Sequence, residues 1–126
     1  MHEREQPMLY SVDLSGCTRI ESLSPGEVSV TFARALTNAG ATVVQALSHC
    51  FPGEGLTSVL ILAESHAILH TWPETGTVNI DIFSCSTRLK SLAAVAELGR
   101  SFGAASVSIQ GIPRADGHRE SPAASD

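Results

Sequence analysis

"TSVLILAESHAILHTWPETGTVNIDIF", residues 57–83, is the stretch that decides how this chain folds. Its apolar runs, 57–63, 67–72 and 77–83, are short and bounded by turn residues, so each reads as a strand rather than a helix. Pro73, Glu74, Thr75 and Gly76 supply a turn between the last two. Glu64, Ser65 and His70 interrupt what is otherwise a buried hairpin. Polar groups in such a place need partners or a function, because burying them unsatisfied is costly.

Outward from this hairpin the punctuation is clear. Residues 8–14 read as a strand that stops at Ser15-Gly16. Ser24, Pro25 and Glu27 combine an N-cap, a first-turn proline and a capping box, so a helix starts there. Val28, Phe32, Ala35, Leu36 and Ala39 share one face of it, and Gly40 ends it. Residues 41–47 are β-rich and 49–55 read as a Pro/Gly loop. Leu89, Leu92, Ala96, Gly99 and Phe102 mark a second helix closed by Gly103, and 105–112 return as a strand.

The order β-α-β-β-β-β-α-β predicts an α+β fold: a two-layer sandwich of a mainly antiparallel sheet with two helices on one face. Residues 1–113 make a single domain by this reading, and the small, polar composition of 114–126 predicts a disordered tail. The other sheet face lacks a cover, which points to a homodimer.

The chain has 126 residues, 43% hydrophobic and 17% charged, which suits one core. A net charge of -5 with eight scattered basic residues argues against nucleic acid as a partner. No segment has the roughly 20 apolar residues that span a bilayer, and the charged start does not read as a signal peptide, so no membrane role is expected. Cys17, Cys50 and Cys85 are odd in number and widely spaced, which favours free thiols and a reducing cytoplasm. Lys90 is the only lysine, so lysine Schiff-base chemistry has one poor candidate.

Two kinds of chemistry are weighed for the polar residues. His66 and His70 are four apart, with His49 and Cys50 as further donors, but four residues of strand span roughly 13 Å; no metal site is expected. Ser65 and His70 suit a nucleophile and its base, yet no G-x-S-x-G elbow surrounds the serine. Ser65 as a plain turn residue stands as the alternative.

"AESHAILHTWPE" (63–74) followed by "IDIFSC" (80–85) resembles the signature of the short prokaryotic S-adenosylmethionine decarboxylases, which are self-processing pyruvoyl enzymes. The similarity is strongest over 49–85 and runs more loosely over 8–112. The resemblance implies cleavage between Glu64 and Ser65, giving a β chain of 1–64 and an α chain of 65–126, with Ser65 converted to the pyruvoyl cofactor. It makes His70 and Thr57 processing residues, with threonine where the family has serine, and Cys85 the proton donor after carbon dioxide leaves. Phe51 matches the aromatic that stacks on adenine, Glu74 the glutamate that holds the ribose, and Asp13 an acidic position near the reacting end.

A pyruvoyl carbonyl condenses with the substrate amine and takes up the electrons released on decarboxylation, so no lysine is needed. The implied product, decarboxylated S-adenosylmethionine, serves polyamine (spermidine) synthesis, and the implied assembly is a dimer of processed protomers with active sites at the interface. The pattern departs from the family at Pro7-Met8-Leu9, in place of its G-x-H, and at Thr75 and Thr77, in place of two aromatics. Those losses keep arginine or ornithine open as substrate, with Glu54 as the extra carboxylate. A non-processing regulatory paralogue is the third reading, although serine, histidine and cysteine are all retained.

Overall fold

Ser24 caps the first helix as its sequence predicts. Its side chain accepts from the Glu27 N–H at 3.1 Å, and Glu27 Oε1 accepts from the Ser24 N–H at 2.8 Å. Such a cap is worth about 1 kcal/mol. The computed structural model describes residues 6–53, 55–85 and 89–116. In chain order the elements are β1 (Met8–Ser15), a 3-10 turn (Ile20–Ser22), α1 (Pro25–Asn38), β2 (Val43–Cys50), β3 (Leu56–Leu62), β4 (Ser65–Trp72), β5 (Thr77–Ser84), α2 (Ser91–Phe102) and β6 (Ser106–Pro113).

The strands form one six-stranded sheet in the order β2-β3-β4-β5-β1-β6, and all five pairings are antiparallel. The α+β sandwich expected from the sequence is therefore the fold. Four strands, β2 to β5, run as consecutive hairpin neighbours, whereas β1 inserts between β5 and β6, making the long-range pairings that complete the sheet.

Alternation along the strands splits the sheet into two faces. Leu60, Leu69, Ile80 and Ile82 point toward the helices and are fully buried against Phe32 and Phe102. Each such side chain stabilises the fold by roughly 1.5–3 kcal/mol relative to exposure. Among the described residues no helix covers the opposite face. Leu47, Ile61 and Trp72 on it are 66%, 47% and 42% exposed, an apolar load of the kind that marks an interaction surface.

Three sequence expectations shift. The strand β2 continues through His49 and Cys50, so the loop begins only at Phe51; pairing with Thr57 and Leu56 satisfies the backbone there and outweighs the nearby Pro/Gly composition. The second helix turns a different stripe inward: Ala94, Val95, Leu98 and Phe102 are buried, while Leu92 is 56% exposed and Ala96 is exposed. It is apolar on two adjacent stripes, and packing against α1 and β1 selects between them. At the C-terminal end, the Arg114 N–H still donates to the Pro7 carbonyl at 2.9 Å. The tail expected from 114 onward lies, past Asp116, outside the described residues.

Gly55 is fixed by contact rather than by a turn. A methyl group there would collide with the Thr71 carbonyl. The neighbouring Leu56 N–H donates to Thr71 Oγ1 at 3.0 Å, and the Phe51 N–H donates to the Gly55 carbonyl at 2.9 Å. These contacts hold the β2–β3 connection, and with it Phe51, close to β4.

Candidate active site

A two-residue turn, Ala63-Glu64, joins β3 to β4, with Leu62 paired to Ser65. Glu64 has φ 65°, the only left-handed non-glycine among the described residues. Such a conformation costs an L-residue roughly 1–2 kcal/mol. Ser65 is half-buried beside Leu62, Ala63 and Leu89. Cys85, just past β5, donates its thiol hydrogen to the Glu64 carbonyl oxygen at 2.8 Å. Glu64, Ser65 and Cys85 thus form one cluster around one peptide bond.

A second cluster lies on the helix-free face. The two-residue turn fixes a register in which Thr57 faces His70, and Thr57 Oγ1 sits 2.6 Å from His70 Nδ1. Neutral imidazole has one N–H and one lone pair. When the threonine oxygen accepts from Nδ1–H, Nε2 is left as the base; when the hydroxyl donates, Nε2 carries the proton. Phe51 lies 5.8 Å from the His70 ring and 4.8 Å from His49, and Trp72 lies 4.5 Å from His70, ring centroid to ring centroid.

The same row continues across the sheet, since His70 faces Asn79 and Asn79 faces Asp13. The Trp72 indole N–H donates to Asn79 Oδ1 at 2.6 Å, and Asn79 Nδ2 donates to Asp13 Oδ1 at 2.7 Å. Glu74 is exposed in the turn after β4, two residues beyond Trp72.

Within one chain the two clusters do not meet. Ser65 and His70 are five residues apart on β4, about 17 Å at the rise of a strand, and an odd spacing puts them on opposite faces. Thr57, His70, Phe51 and Asp13 are brought together; Ser65, Glu64 and Cys85 are brought together elsewhere. Asn79 and Trp72 join the site without having been singled out as functional in the sequence, and His49, weighed there only as a metal donor, joins it as an aromatic neighbour of Phe51. The alternation of β5 puts Asn79 on the face of His70 only once the pairing is known. Among the described residues no three His, Cys, Asp or Glu side chains gather to hold a metal, and His66 and His70 are separated along their strand. No helix among them is long and apolar enough to cross a membrane.

This clustering around a turn-held peptide bond coincides with a sequence match. The family model described as S-adenosylmethionine decarboxylase matches residues 8–115. The chain belongs to the S-adenosylmethionine decarboxylase family. Two relatives, both named S-adenosylmethionine decarboxylase proenzyme, illustrate the distance. One from Prochlorococcus marinus (strain MIT 9313) is 31% identical over 113 residues, covering 90% of this chain and 86% of that protein. One from Thermomicrobium roseum is 35% identical over 106 residues, covering 82% and 88%.

The crystal structure of the adenosylmethionine decarboxylase from Aquifex aeolicus VF5 superposes with a TM-score of 0.79 at 22% identity, covering 94% of this chain and 98% of that one. The family's fold is therefore this fold. As a member of the S-adenosylmethionine decarboxylase family the chain is a decarboxylase by kinship, and the family resemblance drawn from residues 63–85 holds.

Proposed function

We propose that the chain is a proenzyme that cleaves itself between Glu64 and Ser65, converts Ser65 into a pyruvoyl group and then decarboxylates S-adenosylmethionine. The observation that carries this reading is the Cys85 thiol, 2.8 Å from the Glu64 carbonyl oxygen at a left-handed turn residue. Attack by Ser65 Oγ on the Glu64 carbonyl carbon moves negative charge onto the oxygen that Cys85 already hydrogen-bonds. The C–N bond of that peptide breaks as a C–O ester bond forms, relieving the strain at Glu64. A base then takes the Ser65 α-proton, the Ser65 Cβ–Oγ bond breaks as the Cα=Cβ double bond forms, and residues 1–64 leave with that oxygen in a Glu64 carboxylate. Hydrolysis of the resulting dehydroalanine expels ammonia and leaves the pyruvoyl group.

The donor set fits that group: a serine at a strained turn, a thiol on its scissile carbonyl and a threonine-held imidazole. Once formed, the pyruvoyl carbonyl supplies an electrophile for the substrate amine and a sink for the electrons released with carbon dioxide. Cys85 returns a proton to the substrate carbon. The aromatic wall of Phe51, His49 and Trp72 suits a purine, and the carboxylates of Glu74 and Asp13 suit ribose hydroxyls and a cationic centre. The product serves polyamine synthesis, as the family's chemistry implies.

His70 of the same chain is out of reach of Ser65, so we assign the base to a second copy. A two-fold homodimer joined through the apolar helix-free face, and reaching the end of β4 where the Ala63-Glu64 turn exposes the scissile peptide bond, would bring the partner's His70 and the partner's Thr57 to that bond. The three cysteines are unbridged, which supports the reducing cytoplasm as its location. Glu54, on which the arginine or ornithine reading rests, lies outside the described residues.

Intact mass after incubation tests the processing step: the expected products are residues 1–64 and a pyruvoyl-blocked 65–126. Carbon dioxide release from S-adenosylmethionine, ornithine and arginine side by side tests the substrate. A chain that stays whole supports the regulatory paralogue instead, and release from an amino acid alone overturns the substrate assigned here.

A further inference from the structure

We infer that Asn79 is a positioning residue that fixes the Asp13 carboxylate for the cationic centre of the substrate by tying it to the Trp72 indole; this rests on the function proposed above. The indole N–H is a donor only, so the oxygen of the Asn79 amide must face Trp72 and its NH2 must face Asp13. Bonds of 2.6 and 2.7 Å on the two ends leave the amide one orientation. Asp13 is exposed on its strand, and without such a tether a carboxylate in water samples several rotamers.

Position makes the tether functional. Asn79 lies between His70 and Asp13 in the row that crosses the sheet, and Trp72 touches the His70 ring at 4.5 Å. One amide therefore sets the separation between the aromatic wall and the carboxylate. A ligand that carries a purine and a sulfonium needs both an apolar face and an anion at a fixed distance from it. Preorganising that anion strengthens binding of the charged centre and leaves an uncharged analogue nearly unaffected.

The test uses the processed wild-type enzyme and the variants Asn79→Ala and Asn79→Asp, with two amine-free probes, dimethylsulfonioadenosine and its neutral thioether methylthioadenosine. The wild type should bind the sulfonium more tightly than the thioether. In Asn79→Ala that preference should fall about tenfold, the scale of losing one hydrogen bond to a charged group, with thioether affinity retained and KM for substrate rising more than kcat falls.

Asn79→Asp is isosteric and keeps an acceptor for the indole while setting a carboxylate against Asp13, so the preference should also fall. Trp72 is the sole tryptophan, so its emission should change in the alanine variant and stay near wild type in the aspartate one. Unchanged sulfonium preference in Asn79→Ala, or no preference in the wild type, overturns the inference. Failure of the wild type to cleave itself or to release carbon dioxide from S-adenosylmethionine overturns the proposed function instead, and unchanged Trp72 emission in Asn79→Ala then refutes the tether by itself.

Discussion

Mixing two inactive variants should restore self-cleavage. Ser65→Ala lacks the nucleophile and His70→Ala lacks the base, so neither should process alone. The two residues are five apart on β4, hence about 17 Å apart on opposite faces, beyond any proton transfer within a chain. In a two-fold pair of one chain of each kind, one site has both native residues and the other has neither. Random pairing of equal amounts makes about half of the dimers mixed, so about a quarter of all chains should be cleaved. Every cleaved chain should carry His70→Ala, because only that chain keeps Ser65.

Co-expression of the two variants with distinguishable masses, followed by intact-mass measurement, reads both the yield and the identity of the cleaved chain. No cleavage in the mixture refutes the composite site, since a site within one chain predicts none. Cleavage of the Ser65→Ala chain would refute Ser65 as the nucleophile.

Three further outcomes follow from single side chains. Thr57→Val removes the hydroxyl 2.6 Å from His70 Nδ1 and should slow cleavage about tenfold or more, the scale of disturbing a general base, whereas Thr57→Ser should cleave at least as fast as wild type; mass spectrometry over time decides. Gly55→Ala forces a methyl into the Thr71 carbonyl and should destabilise the fold by about 2 kcal/mol or more, read from the urea midpoint, with a loss below about 0.5 kcal/mol refuting the close approach. Burial pushes the Cys17 thiol above its ordinary value, so the folded state favours the protonated thiol; stability is fully present below the unfolded pKa and is lost as pH rises past it toward the raised folded value. Cys17→Ala should flatten that alkaline decline in urea titrations.

Local signals decided the elements. The capping box at Ser24 and the glycines after each helix specify helix ends through bonds that span only a few residues. Turn length likewise carries the hairpin registers: a two-residue turn at Ala63-Glu64 forces Thr57 opposite His70, and the turn after Trp72 puts His70 opposite Asn79. The residues proposed to react were legible as candidates because Glu64, Ser65, His70 and Cys85 sit within one continuous motif.

Tertiary structure alone decided the rest. Asp13 reaches Asn79 only because β1 inserts beside β5, a pairing between segments 66 residues apart that no local rule specifies. Which stripe of α2 is buried depends on competing apolar surfaces, settled by packing against α1 and β1. The division of the site into two clusters follows from geometry as well: a strand rises about 3.4 Å per residue and alternates its faces, so neighbours in the motif are separated in space. The sequence by itself determined which polar groups interrupt the hairpin; the sheet determined that one chain holds Ser65 and His70 apart.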